Sequence, residues 1–98
     1  MLELSLKTAS GDISAFRKIV SDGISEERKK IEYALERTHR IIKNFEEAHG
    51  MSSEEFLQSF QKGEIEENSD IFEWWAEIKV SKELEDKLHM VESIEICQ

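Results

Sequence analysis

Residues 25–63 read SEERKKIEYALERTHRIIKNFEEAHGMSSEEFLQSFQKG, and this stretch decides the fold. Ile31, Leu35, Thr38, Ile42 and Phe45 recur at alternating spacings of four and three, and Arg28 and Ile24 continue the series toward the N-terminus. Ala34, Ile41 and Ala48 widen the stripe. This is the period of a helix packed along its whole length against other helices. Ser25 suits the N-cap, and Glu26 and Glu27 suit the first turn, where the helix dipole favours negative charge. From Ser25 to His49 the helix is roughly 37 Å long at 1.5 Å per residue. A globule of this size has a radius of gyration of about 13 Å, so such a rod needs an antiparallel neighbour or a second subunit. Arg28 and Thr38 interrupt the seam, which argues against a long coiled coil. Gly50 stops the helix. Ser52 and Glu55 then form a capping box, with Met51 and Phe56 placed as its hydrophobic staple. Phe56, Leu57 and Phe60 give the next short helix its apolar face, and Gly63 ends it.

Working outward, Glu64 to Ser69 is an acidic connector, and Asp70 reads as a cap with Glu73 three residues on. Ile71, Trp74, Trp75, Ile78, Leu84, Leu88 and Val91 predict an amphipathic helix into the low 90s. On the other side, Asp12 reads as the N-cap of a short helix carrying Ile13, Phe16, Ile19 and Val20, with Gly23 as its stop. Leu2, Leu4 and Leu6 alternate with Glu3, Ser5 and Lys7, the period of a short strand, which must pair with something, its own copy included. The expected architecture is mainly α: one small domain over residues 1–98, with a long helix folded back through a short helix onto a C-terminal amphipathic helix. The short N-terminal strand makes a dimer. Residues 1–49 would serve dimerisation and possible DNA contact, and residues 50–98 would form an acidic partner-binding half.

Composition narrows the class. The 98 residues contain 39% apolar side chains and no proline. A chain this short buries a limited private core, so a partner or self-association is expected to complete it. The net charge is −9, and all of it falls in residues 50–98, since residues 1–49 hold nine basic and nine acidic side chains. An acidic half repels phosphates and draws a basic protein surface. The lone Cys97 closes no internal disulfide and builds no CxxC site. The first residues lack the basic-then-apolar pattern of a signal peptide, and no apolar run spans a membrane. A cytoplasmic location without membrane association is expected. No nucleotide-binding, zinc-protease or nucleophile-elbow motif occurs, and a non-enzymatic role with no cofactor is the expectation.

Three pairs have helical ligand spacing: Glu36 and His39, Glu46 and His49, Asp86 and His89. Di-iron bundles use this spacing but need further inward carboxylates. Glu36 and His39 lie off the apolar stripe, and with 22 acidic residues such pairs arise by chance. A ferritin-like carboxylate–His bundle is therefore kept as an alternative to test, and no metal is assigned. The cluster Phe72, Trp74, Trp75 carries more weight. Adjacent residues on a helix point about 100° apart, so when one indole enters the core the other is at least partly exposed, where Trp serves as a binding anchor. Phe72 and Ile78 stand beside it. The competing reading places both indoles in the core.

The N-terminal half, with its alternating strand, short helix, Gly23-Ile24-Ser25 turn and second helix, resembles the ribbon-helix-helix DNA-binding motif. That resemblance implies that Glu3, Ser5 and Lys7 face the major groove. The neutral charge of this half departs from the basic pattern of that family. The segment Gly50-Met51-Ser52-Ser53-Glu54-Glu55-Phe56, then Phe60-Gln61-Lys62-Gly63-Glu64, then Ile71-Phe72-Glu73-Trp74-Trp75-Ala76, is similar to small prokaryotic antitoxin components of toxin–antitoxin systems that read GMSxEEF…F…GE…D…EW after a long charged helix. The likeness covers about 30 residues, near a third of the chain. It implies a non-enzymatic protein that pairs with a basic toxin and binds its own promoter. Carried across, it makes Phe56, Phe60, Trp74 and Trp75 apolar anchors, and Glu64, Glu66 and Glu67 acidic contacts. The paired Trp74-Trp75 departs from the usual single Trp followed by a smaller residue. A homo-oligomeric helical scaffold is the alternative that needs only the helical stripes.

Overall fold

A computed structural model describes residues 12–97. Helix α1 spans Ile13–His49, α2 spans Ser53–Gln61 and α3 spans Ser69–Cys97. At 1.5 Å per residue the 37 residues of α1 extend about 55 Å. The molecule measures 63 × 22 × 22 Å with a radius of gyration of 20.1 Å, a rod rather than a sphere. The expected strand, with Glu3, Ser5 and Lys7, lies outside the described residues, and among those described there is no strand.

Asp12 starts α1 as expected, its Oδ1 accepting from the Ala15 N–H at 3.1 Å. Gly23 does not stop the helix, and Ser25 is not a cap, because α1 runs unbroken through both. A glycine ends a helix by adopting positive φ, and among the described residues only Gly50 (φ 65°) and Gly63 (φ 70°) do so. A single interior glycine costs about 1 kcal/mol relative to alanine, which the rest of a long helix absorbs. The two-helix element of the ribbon-helix-helix likeness is therefore one continuous helix.

The closing turns follow the sequence closely. Gly50 and Met51 N–H both donate to the Glu46 carbonyl, at 2.9 and 3.3 Å. The Glu46 side chain accepts from Ser53 N–H at 2.8 Å, tying the end of α1 to the start of α2. The capping box is complete: Ser52 Oγ accepts from Glu55 N–H at 3.1 Å, and Glu55 Oε1 accepts from Ser52 N–H at 3.3 Å. At the far end of α2, Gly63 N–H donates to the Phe60 carbonyl and Glu64 N–H to that of Ser59, at 3.1 and 2.9 Å. These two bonds are those of a Schellman motif. The cap of α3 is Asn68 rather than Asp70. Its Oδ1 accepts from Ile71 N–H at 3.0 Å, and Asp70 sits in the first turn.

α1 and α3 form an antiparallel hairpin. Arg28 meets Glu95, His39 meets Glu85, and His49 stacks on Trp74. The 21 residues from Arg28 to His49 along α1 are matched by 21 residues from Glu95 back to Trp74 along α3, so the register holds over the length of the seam. Ile31, Leu35 and Thr38 are buried in the middle of the seam, and Leu84, Leu88 and Val91 are half-buried on α3. The densest core lies at the closed end, where Phe56, Ile71 and Trp74 are buried together and ringed by Phe45, Met51, Phe60, Ile65 and Ile78. Contact of Met51 with the Phe56 cluster is the staple expected from sequence.

Candidate functional site

The two adjacent tryptophans have opposite environments. Trp74 is fully enclosed. Its ring stacks on Phe56 with centroids 3.9 Å apart and planes 7° apart, and on His49 at 5.2 Å and Phe45 at 5.9 Å. Its indole N–H donates to Ser53 Oγ at 3.1 Å, so the polar handle of a buried tryptophan is satisfied. Trp75 lies one residue, about 100°, around the helix and is only partly buried. It stacks on Phe60 at 6.3 Å, and Phe60 receives the edge of Phe72 at 6.2 Å. Phe72 is 47% exposed. Phe60, Phe72 and Trp75 thus form an aromatic ledge on the outside of the closed end, resting on the Phe56–Trp74 core through the Phe56–Phe60 contact at 5.6 Å.

Of the anchors expected from sequence, the structure separates two groups. Phe56 and Trp74, both 0% exposed, are core and present no surface in this conformation. Phe60, Phe72, Trp75 and the half-buried Ile78 are the members that reach the exterior. Glu64, Glu66 and Glu67 are all exposed on the connector leading to α3, anchored between them by the half-buried Ile65. Asp70 and Glu73, also exposed, add to the negative charge in the first turns of α3.

Charge at the ledge has one internal counterpart. Lys79 Nζ stands 5.2 Å from the Trp75 ring centroid, a cation–π placement one helical turn away. The Trp75 face is therefore already presented to a cation. At the other end of the hairpin, Arg28 Nε lies 3.0 Å from Glu95, and Arg28 Nη1 lies 2.9 Å from Glu32. The hydrogen bond and charge of Glu95, with a smaller contribution from Glu32, hold the Arg28 guanidinium above its usual pKa. This pair explains a charged residue on the apolar stripe, and no signal in the linear pattern pointed to Glu95 as its partner.

The ligand-like spacings do not converge. Glu36 is engaged by Arg40 at 3.1 Å, while His39 turns to Glu85 across the seam at 3.6 Å. His49 stacks against Phe45 and Trp74. No group of three or more His, Cys, Asp or Glu side chains is gathered for a metal among the described residues. No helix among the described residues is long and apolar enough to cross a membrane. Comparison of the chain with protein-family models, curated proteins and solved structures gives no match.

Proposed function

We propose that this chain is a non-enzymatic, antitoxin-like binding protein whose acidic, aromatic closed end docks on a basic protein surface and blocks it by occlusion. The observation that carries the reading is the ledge of Phe60, Phe72 and Trp75, with Phe72 exposed and Phe60 and Trp75 partly so, on the half of the chain that holds the whole net charge of −9. Tryptophan is enriched at binding hot spots, where it becomes desolvated against the partner. The negative field of Glu64, Glu66, Glu67, Asp70 and Glu73 would speed encounter with a basic partner, and the aromatics would hold it. Lys79 over Trp75 supports the same chemistry, since a partner arginine or lysine can take the same ring face. The reading includes a homodimer, and it requires neither a cofactor nor a metal.

The test is retention on immobilised protein. Wild type and a Tyr33→Ala control, altered at a residue exposed elsewhere on α1, should retain one basic protein from the native host, with retention falling as salt rises. Phe72→Ala and Trp75→Ala should lose it while keeping their helical circular dichroism. An acidic retained protein, or retention indifferent to both substitutions, overturns the reading.

A further inference from the structure

α3 carries apolar side chains on two opposite faces. One face packs into the molecule through Ile71, Trp74 and Leu88. The other is a stripe of Ala76, Val80, Glu83, Lys87, Met90 and Ile94, all of them exposed. Their spacings alternate between four and three, the period of a coiled-coil seam. At 100° per residue the six positions fall within about 80° of arc. Trp74, nine residues before Glu83, lies half a turn away from it. A helix that is apolar all round belongs in a buried setting, yet α1 and α2 cover only one side of this one.

The two charges within the stripe identify what covers it. A closed two-fold interface must match itself, because the same patch meets its own copy. We propose that α3 of two copies pairs antiparallel along this stripe, about an axis at the level of Glu85. The Glu85 side chain itself turns to His39 on the other side of the helix. In this register Glu83 of each copy faces Lys87 of the other, Val80 faces Met90, and Ala76 faces Ile94, over about 27 Å. Sliding the pair by one heptad would set Glu83 against Val80 or Ile94, and Lys87 against Ala76 or Met90, leaving buried charges unmatched. Parallel pairing would set Glu83 on Glu83 and Lys87 on Lys87. The charged layer therefore selects both direction and register, the role of polar residues in a coiled-coil seam. Among the described residues neither Glu83 nor Lys87 is engaged in an ion pair within the chain. With Lys79 and Asp86 on its flank, the stripe holds two cations and two anions, so two copies of a chain with net charge −9 meet on a neutral surface. The inference deepens the homodimer of the reading above and rests on it only for the second copy. Antiparallel pairing puts the two aromatic ledges at opposite ends of the dimer.

Sedimentation equilibrium at micromolar concentration tests the interface. Wild type should be a dimer. Met90→Glu should be a monomer with unchanged helical circular dichroism, since Met90 is 65% exposed in the single chain. Glu83→Lys should weaken self-association by about tenfold or more, although it lowers the net negative charge, because it sets only cations against each other across the axis. Lys87→Glu should weaken it likewise. An equimolar mixture of these two variants should recover dimers. Like charges still neighbour each other within each chain of that mixture, so recovery reports the contact between copies. Mild oxidation reads the direction: antiparallel pairing holds the two Cys97 thiols roughly 36 Å apart along the axis, whereas parallel pairing brings them together. Monomeric wild type overturns both the interface and the homodimer, and retention of a basic protein is then judged separately. A dimer indifferent to Met90→Glu or to Glu83→Lys, a mixture that stays monomeric, or a Cys97–Cys97 link within the wild-type dimer overturns this interface and leaves the homodimer standing.

Discussion

Replacing Trp74 with alanine should remove the largest single contribution to the fold. The side chain is fully enclosed, stacked on Phe56 at 3.9 Å, and hydrogen-bonded to Ser53 at 3.1 Å. Truncating a buried tryptophan costs about 3–5 kcal/mol in lost transfer energy and cavity, and the lost ring pairing is part of that figure. A chain of this length has a total stability of about 5–15 kcal/mol, so Trp74→Ala forfeits about a fifth of it or more. With about 4–8 °C of melting temperature per kcal/mol for a domain of this size, a loss of about 4 kcal/mol lowers the midpoint by roughly 16–32 °C. Thermal unfolding followed by circular dichroism at 222 nm measures the midpoint, and urea unfolding measures the loss of free energy. Trp74→Phe gives a folded intermediate case if the alanine variant does not fold. Trp75→Ala, at a partly exposed ring, should cost only about 1 kcal/mol by the same bookkeeping of area. A Trp74→Ala loss below about 1.5 kcal/mol, or equal losses for both variants, would refute the assignment of Trp74 to the core.

Other outcomes follow from single contacts. Ser52→Ala removes one arm of the capping box and should cost about 1 kcal/mol in the same unfolding experiment. Gly50 and Gly23 should respond with opposite sign: Gly50→Ala forces a side chain into φ 65° and destabilises by about 1–2 kcal/mol. Gly23→Ala stabilises the single chain by about 0.5–1 kcal/mol, because its helix position is open. Glu77 has one carboxylate oxygen enclosed without a hydrogen-bond partner among the described residues. Glu77→Leu should therefore raise the urea midpoint, through about 1 kcal/mol of stability gained from relieved desolvation.

The closed end was legible in the sequence because its signals are local. Gly50, Met51, Ser52, Glu55 and Phe56 act within a few residues of one another, and their caps and staple have the expected partners. Long apolar stripes on α1 and α3 implied the hairpin for the same reason. Readings that depended on context went astray. Gly23 and Ser25 imitate a stop and a restart, yet neither competes with the propagation of a long helix. Asn68 and Asp70 are both good caps, and Asn68 took the role through its bond to Ile71 N–H. The assignment of Trp74 inward and Trp75 outward depends on where α2 packs, which adjacent indoles alone do not encode. Arg28 looked like a flaw in the seam until Glu95, remote in sequence, met it there.

The account turns on those two neighbouring indoles, and each can be observed alone. Trp75→Phe leaves only Trp74, whose emission should be blue-shifted and resist quenching by acrylamide. Trp74→Phe leaves only Trp75, whose emission should be red-shifted and readily quenched. Equal accessibility of the two, or the reverse order, would contradict both the aromatic core and the ledge built upon it.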